Sequence, residues 1–120
     1  MSTMNTVRQI EACINECARD QRTTNYGEVV KAFGLDELRP DWANHPLSGI
    51  FHILDLEDIV KDRPLRTALV ITADDNRPSG GFFKISQEYK RYCGRLGDEN
   101  AEAVYWTAEL RRVFAYWKKS

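Results

Sequence analysis

Apolar residues recur at helical spacing along most of this chain, and this periodicity constrains the fold more than any other feature. Near the N-terminus they lie three or four residues apart, which predicts an amphipathic helix over about residues 4 to 22. The buried stripe of that helix comprises Val7, Ile10, Ile14, Cys17 and Ala18. Such a stripe needs other elements to pack against, so we expect a packed domain.

The segment NYGEVVKAFG, residues 25–34, carries the signals of a short second helix. Asn25 can cap its N-terminus, and Glu28 three residues later completes a capping box. Gly34 can end the helix in the left-handed conformation. The face expected to pack on the core comprises Tyr26, Val29, Val30 and Phe33.

A third helix is predicted from Pro46 to about Val60. Proline suits the first turn of a helix, and Asn44 or His45 can supply the cap. The buried stripe of this helix comprises Leu47, Ile50, Phe51 and Leu54.

The periodicity changes after residue 64, where the sequence predicts a β-hairpin. LRTALVITA (65–73) is typical of a strand, DDNRPSGG (74–81) of a turn and FFKI (82–85) of a returning strand. The turn would need a positive φ angle at Gly80 or Gly81. A hairpin that follows three helices has the position of a wing.

Two more helices are predicted after the hairpin. Ser86 can cap a short helix that carries Tyr89, Tyr92 and Cys93, and Asp98 can open a last helix. The buried face of the last helix comprises Ala103, Trp106, Leu110, Val113, Phe114 and Trp117. The fold class predicted is therefore α+β: one domain over residues 1–120, with a winged helix-turn-helix-like core (1–85) and a C-terminal helical extension (86–120).

One short motif connects this pattern with a known family. Thr24, Tyr26, Gly27 and Glu28 match a T-x-Y-G-E/D/Q pattern. With the preceding helix, the SG turn in the third helix and the segment RPLRTALVI, they resemble the DNA-binding half of alkylguanine-DNA alkyltransferases and alkyltransferase-like proteins. The resemblance covers about residues 7–83 and implies a winged helix-turn-helix fold that binds DNA.

The residues that carry the activity of that family are missing. The family inserts an arginine from R-A-V-G into the DNA stack, whereas the corresponding PLSG has Pro46 at that position. The family's nucleophile lies in P-C-H-R, and here Leu69 of TALVI stands near the place of the cysteine. Without a thiolate there is no alkyl acceptor. We therefore predict no catalytic residue, no metal and no cofactor.

Charge is divided unevenly along the chain. The net charge of −1 gives no overall attraction to a polyanion. Residues 28–62 hold eight acids against three bases, a net of −5, and residues 84–120 hold eight bases against five acids, a net of +3. We predict that an acidic helical face binds a basic partner through Asp55, Glu57, Asp58 and Asp62.

Two further surfaces are candidates for contacts. Basic side chains at and near the predicted hairpin, Arg63, Arg66, Arg77 and Lys84, could contact a nucleic acid or a partner. In the last helix, tyrosine and arginine have the composition that interfaces favour, which suggests a partner surface or a homodimer face at Tyr105, Arg112 and Tyr116.

His45, His52 and Asp55 allow a second interpretation, as a metal or acid–base cluster. His52 and Asp55 are one helical turn apart, but His45 lies seven residues from His52. A capping imidazole and a surface pair are the simpler explanation.

The cysteines and Ser79 are also expected to be structural. Cys13 and Cys17 lie on or beside the apolar stripe, and no C-x-x-C spacing is present. Ser79 precedes a predicted strand, whereas a phosphate-binding loop needs a helix directly after it.

The function predicted first is a non-catalytic binding module that acts through protein–protein contacts, as an adaptor, regulator or inhibitor of a nucleic-acid-processing or defence enzyme. The alternative is an alkyltransferase-like nucleic-acid-binding protein without alkyl-transfer activity, and the third hypothesis is an enzyme that uses the histidines. Three cysteines, no apolar span and no secretory pattern predict a cytoplasmic protein with reduced thiols and no membrane partner.

Overall fold

The computed structural model describes residues 3–32, 46–72 and 76–118. The elements in chain order are α1 (Thr3–Arg19), β1 (Thr24–Asn25), α2 (Tyr26–Ala32), α3 (Pro46–Val60), a 3-10 helix (Arg66–Leu69), β2 (Val70–Ile71), α4 (Gly80–Glu88) and α5 (Glu99–Lys118). This is a mixed helical domain with a small sheet, as the broad α+β prediction requires. In none of the described helices is there an apolar stretch that could cross a bilayer.

The two strands pair in parallel, with Thr24 opposite Val70 and Asn25 opposite Ile71. Parallel strands need a long crossover, and here α2 and α3 lie between them in the chain. The predicted strand over residues 65–73 is thus reduced to two residues, because a 3-10 helix takes up its first half. The described residues form no hairpin here, because residues 82–85, the expected partner strand, are helical.

The predicted returning strand FFKI is wrong, since these residues belong to α4. Their burial explains the error: Phe82, Phe83 and Ile85 are buried and Lys84 is exposed, and so short an apolar run suits either element. Gly80 and Gly81 begin the helix, and neither has a positive φ angle.

The short helix predicted to start at Ser86 is also wrong. Ser86 lies inside α4, where its Oγ donates to the carbonyl of Phe82 at 2.8 Å. Residues 89–98 contain turns, including a left-handed Lys90 with φ of 62° and Gly97 with φ of 91°. Within this segment Tyr92 is buried, and its hydroxyl group donates to the carbonyl of Arg95.

The caps predicted at Asn25 and Asp98 are confirmed. Asn25 Oδ1 accepts a hydrogen bond from the backbone N–H of Glu28 at 2.8 Å, ahead of α2. Asp98 Oδ1 accepts one from Ala101 N at 3.2 Å, directly before α5. The roles predicted for Phe33, Gly34, Asn44 and His45 lie outside the described residues.

The apolar stripe of α1 forms the core as predicted, together with three of the four residues predicted for α3; the side chain of Leu47 lies outside the described part of the chain. All five stripe residues of α1 are buried, as are Ile50, Phe51 and Leu54 of α3. Val113 and Trp117 of α5 join this cluster, so the predicted C-terminal extension packs into the same core. Ala103, expected on the buried face of α5, is exposed.

A charged network crosses this core at Arg66, whose side chain is fully buried. Its Nε donates to Asp58 Oδ1 at 3.0 Å, and its backbone N–H donates to Asp58 Oδ2 at 3.0 Å. Its Nη1 donates to Glu11 at 2.6 Å and to Asn15 at 3.0 Å. The guanidinium also lies 5.6 Å from the ring centroid of Trp117. Arg66 therefore joins α1, α3 and α5.

Replacing Arg66 by methionine should lower the free energy of unfolding by about 3 kcal/mol or more, because buried Asp58 would lose a charged donor. Urea denaturation monitored by circular dichroism gives this value. The matched control is Arg22→Met, since Arg22 meets Asp20 at 3.6 Å on the surface; its effect should be much smaller. Equal losses in the two variants would contradict a structural role for the network.

Candidate binding site

A pocket of about 210 Å³ opens between the start of α2, the middle of α3, the 3-10 helix and the start of α4. It combines aromatic walls with several polar groups, the combination typical of ligand sites. Its lining comprises Tyr26, Phe51, His52, Asp55, Thr67, Thr72, Ser79, Gly81, Phe82 and Ile85.

The aromatic walls are held by ring contacts with neighbouring elements. Tyr26 and Phe51 meet with ring centroids 5.5 Å apart at 57°. Phe82 contacts Phe83 edge-on at 5.1 Å and stacks on Tyr105 at 5.8 Å. The pocket walls are therefore backed by packed side chains from α3, α4 and α5.

Asp55 is the buried ionisable group of the pocket, with 5% of its surface exposed. Thr67 Oγ1 donates to Asp55 Oδ1 at 2.6 Å. Burial and, to a smaller extent, the charge of Asp58 raise the pKa of Asp55 to about 7, against the lowering effects of the Thr67 hydrogen bond and of Arg66 and Arg91. The carboxyl group therefore changes charge near neutral pH.

A second polar pair spans the pocket between α2 and α4. The hydroxyl groups of Tyr26 and Ser79 are hydrogen-bonded at 3.0 Å, and Ser79 N donates to Tyr26 Oη at 3.4 Å. Tyr26 follows the cap residue Asn25 as the first residue of α2, while Ser79 directly precedes α4. Burial raises the pKa of Tyr26, so it acts as a neutral phenol.

The structure corrects the predicted acidic face of α3. Asp55 and Asp58 are both buried, and Asp58 receives hydrogen bonds from Arg63 at 2.5 Å and from Arg66. Glu57 is ion-paired with Arg8 of α1, and this contact lowers the pKa of Glu57. Of the four residues predicted to bind a basic partner, Asp62 alone is fully exposed.

The predicted basic contact residues are mostly engaged internally. Arg63 and Arg66 bind Asp58, and Arg77 binds Glu102 of α5. Lys84 is exposed on α4, between the pocket residues Phe82 and Ile85 in the chain. The prediction of a basic surface is therefore wrong for Arg66, which is wholly buried. Of the four predicted residues, Lys84 is the exposed one.

The proposed interface on α5 is divided by the structure. Arg112 and Tyr116 are exposed, with Arg112 bonded to Glu109 at 2.8 Å. Tyr105 instead packs on Phe82 and Tyr92, and burial raises its pKa to about 12. Tyr105 is thus a partly buried structural residue and does not belong to an exposed face.

The structure also places the histidine and the cysteines that were considered as metal or acid–base residues. His52 is exposed and lines the pocket, whereas His45 is outside the described residues. Cys17 is buried, Cys13 is half-buried and Cys93 is exposed. Within residues 3–32, 46–72 and 76–118, no histidine, cysteine, aspartate and glutamate side chains are grouped as metal ligands would be.

Sequence reasoning did not predict the pocket. Thr67 lay in a segment assigned to a strand, and Ser79 in a segment assigned to a turn. Recognising FFKI as a helix would have placed Ser79 at its N-terminus, but the contact of Tyr26 with Ser79 spans 53 positions. Periodicity within single elements carries no signal for such a contact.

No family model, curated protein or solved structure matches this chain. The resemblance to alkyltransferase-like proteins therefore stays a prediction from four motif residues and the order of elements. Any function has to be argued from the pocket.

The protonation of Asp55 should make stability fall as pH rises. Its pKa in the folded protein, about 7, lies above the ordinary value of 3.8. The contribution of this proton to stability is complete below about pH 4 and is lost as pH rises through 7. Between pH 5 and 8, wild type should therefore lose about 2 to 3 kcal/mol of unfolding free energy relative to Asp55→Asn.

Urea denaturation at unit steps of pH tests this expectation. The lowered pKa values of Glu11 and Glu57 act below this window, because their stabilising charge is lost only as pH falls through values beneath the ordinary 4.5. Asp62→Asn, at an exposed position just after α3, controls for the change in net charge. A constant difference between wild type and Asp55→Asn from pH 5 to 8 would contradict the assignment.

Proposed function

We propose that this protein is a non-catalytic binding module, an adaptor, regulator or inhibitor, that docks on a protein partner by accepting one side chain in the Asp55 pocket. The observation that carries the proposal is the pocket itself: aromatic walls around a buried carboxyl group. A pocket that desolvates one inserted side chain concentrates binding energy at a single contact.

The pocket replaces the acidic face of α3 as the proposed contact. Asp58 and Glu57 are already neutralised by arginines of the same chain, so they add little attraction for a basic partner. Asp55 keeps its place in the proposal because it lines an open cavity. Arg112 and Tyr116, exposed on α5, remain a second proposed surface for a partner or another copy of the chain.

Filling the mouth of the pocket should abolish partner capture. A β-carbon added at Gly81, which lines the pocket, meets only Ser79 Oγ at 3.7 Å, so Gly81→Leu should fold. Gly80→Leu is the matched control: it makes the same substitution one residue earlier, where nothing lies within 4 Å. Neither glycine has a positive φ angle.

The measurement is affinity capture from the source cells, with nuclease treatment, followed by mass spectrometry. We expect one stoichiometric protein with wild type and Gly80→Leu, and its loss with Gly81→Leu. Capture that is unchanged by Gly81→Leu, or that disappears with nuclease in every case, would refute docking through the pocket.

A nucleic acid that presents an extruded base is the second candidate, as the resemblance to the winged helix-turn-helix domain of alkyltransferase-like proteins implies. Aromatic walls with hydroxyl and carboxyl groups suit a flipped base. The exposed ammonium group of Lys84 could contact phosphate, whereas the predicted contacts Arg63, Arg66 and Arg77 are held in ion pairs.

This second candidate makes a separate prediction. A short duplex with one unpaired base should bind more tightly than its matched duplex, and affinity should fall steeply between roughly 50 and 200 mM salt. Lys84→Ala should weaken binding, while Lys118→Ala, at the far end of α5, should not. Equal mobility shifts for both duplexes, or none, would exclude it.

A further inference from the structure

Asp55 differs from the other buried carboxyl groups of the described residues in lacking an arginine. The remaining three are ion-paired, namely Asp58 with Arg63 and Arg66, Glu102 with Arg77, and Glu109 with Arg91 and Arg112. Asp55 makes no ion pair with a described residue, and its recorded hydrogen bond comes from the neutral hydroxyl of Thr67. It is also the one of the four that lines the aromatic pocket.

A buried carboxylate is stable only with a compensating charge or strong hydrogen bonds. At the other three buried carboxyl groups that charge is an arginine of the same chain. At Asp55 the site is an open cavity, so the compensating cation can come from outside. The pocket thus has the form of an ion-pair site with one partner missing.

The aromatic walls of the pocket favour a flat cation. Tyr26, Phe51 and Phe82 surround the space beside the carboxyl group with aromatic rings. A planar guanidinium can stack on such rings while its N–H groups bind a carboxylate, and it is more weakly hydrated than an ammonium group. A compact ammonium ion would use the carboxylate but gain less from flat walls.

We propose that the pocket takes the guanidinium group of an arginine side chain on the partner, with Asp55 as its counter-ion. This inference rests on the proposed docking function and names the chemistry of the docked group. Thr67 positions the carboxylate, because its hydrogen bond to Oδ1 fixes the orientation of the group.

Docking is coupled to loss of a proton from Asp55. Only the ionised carboxylate forms the ion pair, so the carboxyl proton passes to solvent as the guanidinium enters. The surroundings of Asp55 are set by Asp58 and His52 of α3, Arg66 of the 3-10 helix, Arg91 after α4, and the phenol of Tyr26. Arg66 and Arg91 are held by other carboxylates, so they do not replace the incoming cation.

Two peptides of the same shape test the proposal. Acetyl-Gly-Arg-Gly-amide and its citrulline counterpart differ by the charge of one planar group. Each is titrated into the full chain, and the amide signals of residues 79–85 in ¹H–¹⁵N NMR spectra give the dissociation constant. We expect the arginine peptide to bind at least about tenfold more tightly than the citrulline peptide at pH 8.

The arginine peptide should also bind about tenfold more weakly at pH 6 than at pH 8, following the ionised fraction of a group whose pKa is about 7. Asp55→Asn should remove both the preference for arginine and the dependence on pH, whereas Asp62→Asn should preserve them. Circular dichroism spectra establish that each variant is folded.

The outcomes separate this inference from the proposed function. Equal binding of the two peptides, or an arginine preference that persists in Asp55→Asn, overturns the guanidinium assignment and leaves pocket docking intact. If benzamidine binds more tightly than benzamide and the arginine peptide does not bind, the ligand is a free amidine. That result overturns the proposal that the cation belongs to a partner protein. If both Gly81→Leu and Asp55→Asn still capture the partner, both proposals are overturned.

Discussion

The buried guanidinium of Arg66 is the interaction on which the arrangement of the helices depends. A charge with no exposed surface has to find its partners inside the protein, and Arg66 finds them on α1 and α3 while lying near Trp117 of α5. Removing α3 would take Asp58 from the guanidinium, and removing α1 would take Glu11 and Asn15 from it. The network therefore selects one packing of the apolar stripes, which by themselves are compatible with several.

The same network positions the Asp55 pocket. Two consecutive residues of the 3-10 helix contact carboxyl groups about one turn apart on α3: Arg66 binds Asp58, and Thr67 binds Asp55. The structural ion pair thus holds the 3-10 helix in the register that brings Thr67 to Asp55. A site positioned by a fully buried pair is preorganised, because its carboxyl group is fixed before any ligand arrives.

Sequence patterns predicted what each element does alone. The stripe of α1, the cap at Asn25 and the start of α5 all follow from spacings of a few residues, and the structure has them. The strand prediction for FFKI is wrong because three apolar residues within a run of four do not distinguish a strand from a helix. The pocket was out of reach because the contacts of Asp55 with Thr67 and of Tyr26 with Ser79 join separate elements.

Charge counting failed for a related physical reason. The acidic middle segment and the basic C-terminal segment suggest opposed surfaces only if their side chains reach solvent. Instead Asp58 and Glu57 are bound by Arg66, Arg63 and Arg8, so much of the acidic charge is compensated before it can act at a distance. The proposed recognition therefore relies on a short-range contact in the pocket. Specificity would then come from the group that fits beside Asp55, and long-range electrostatic steering would contribute little to association.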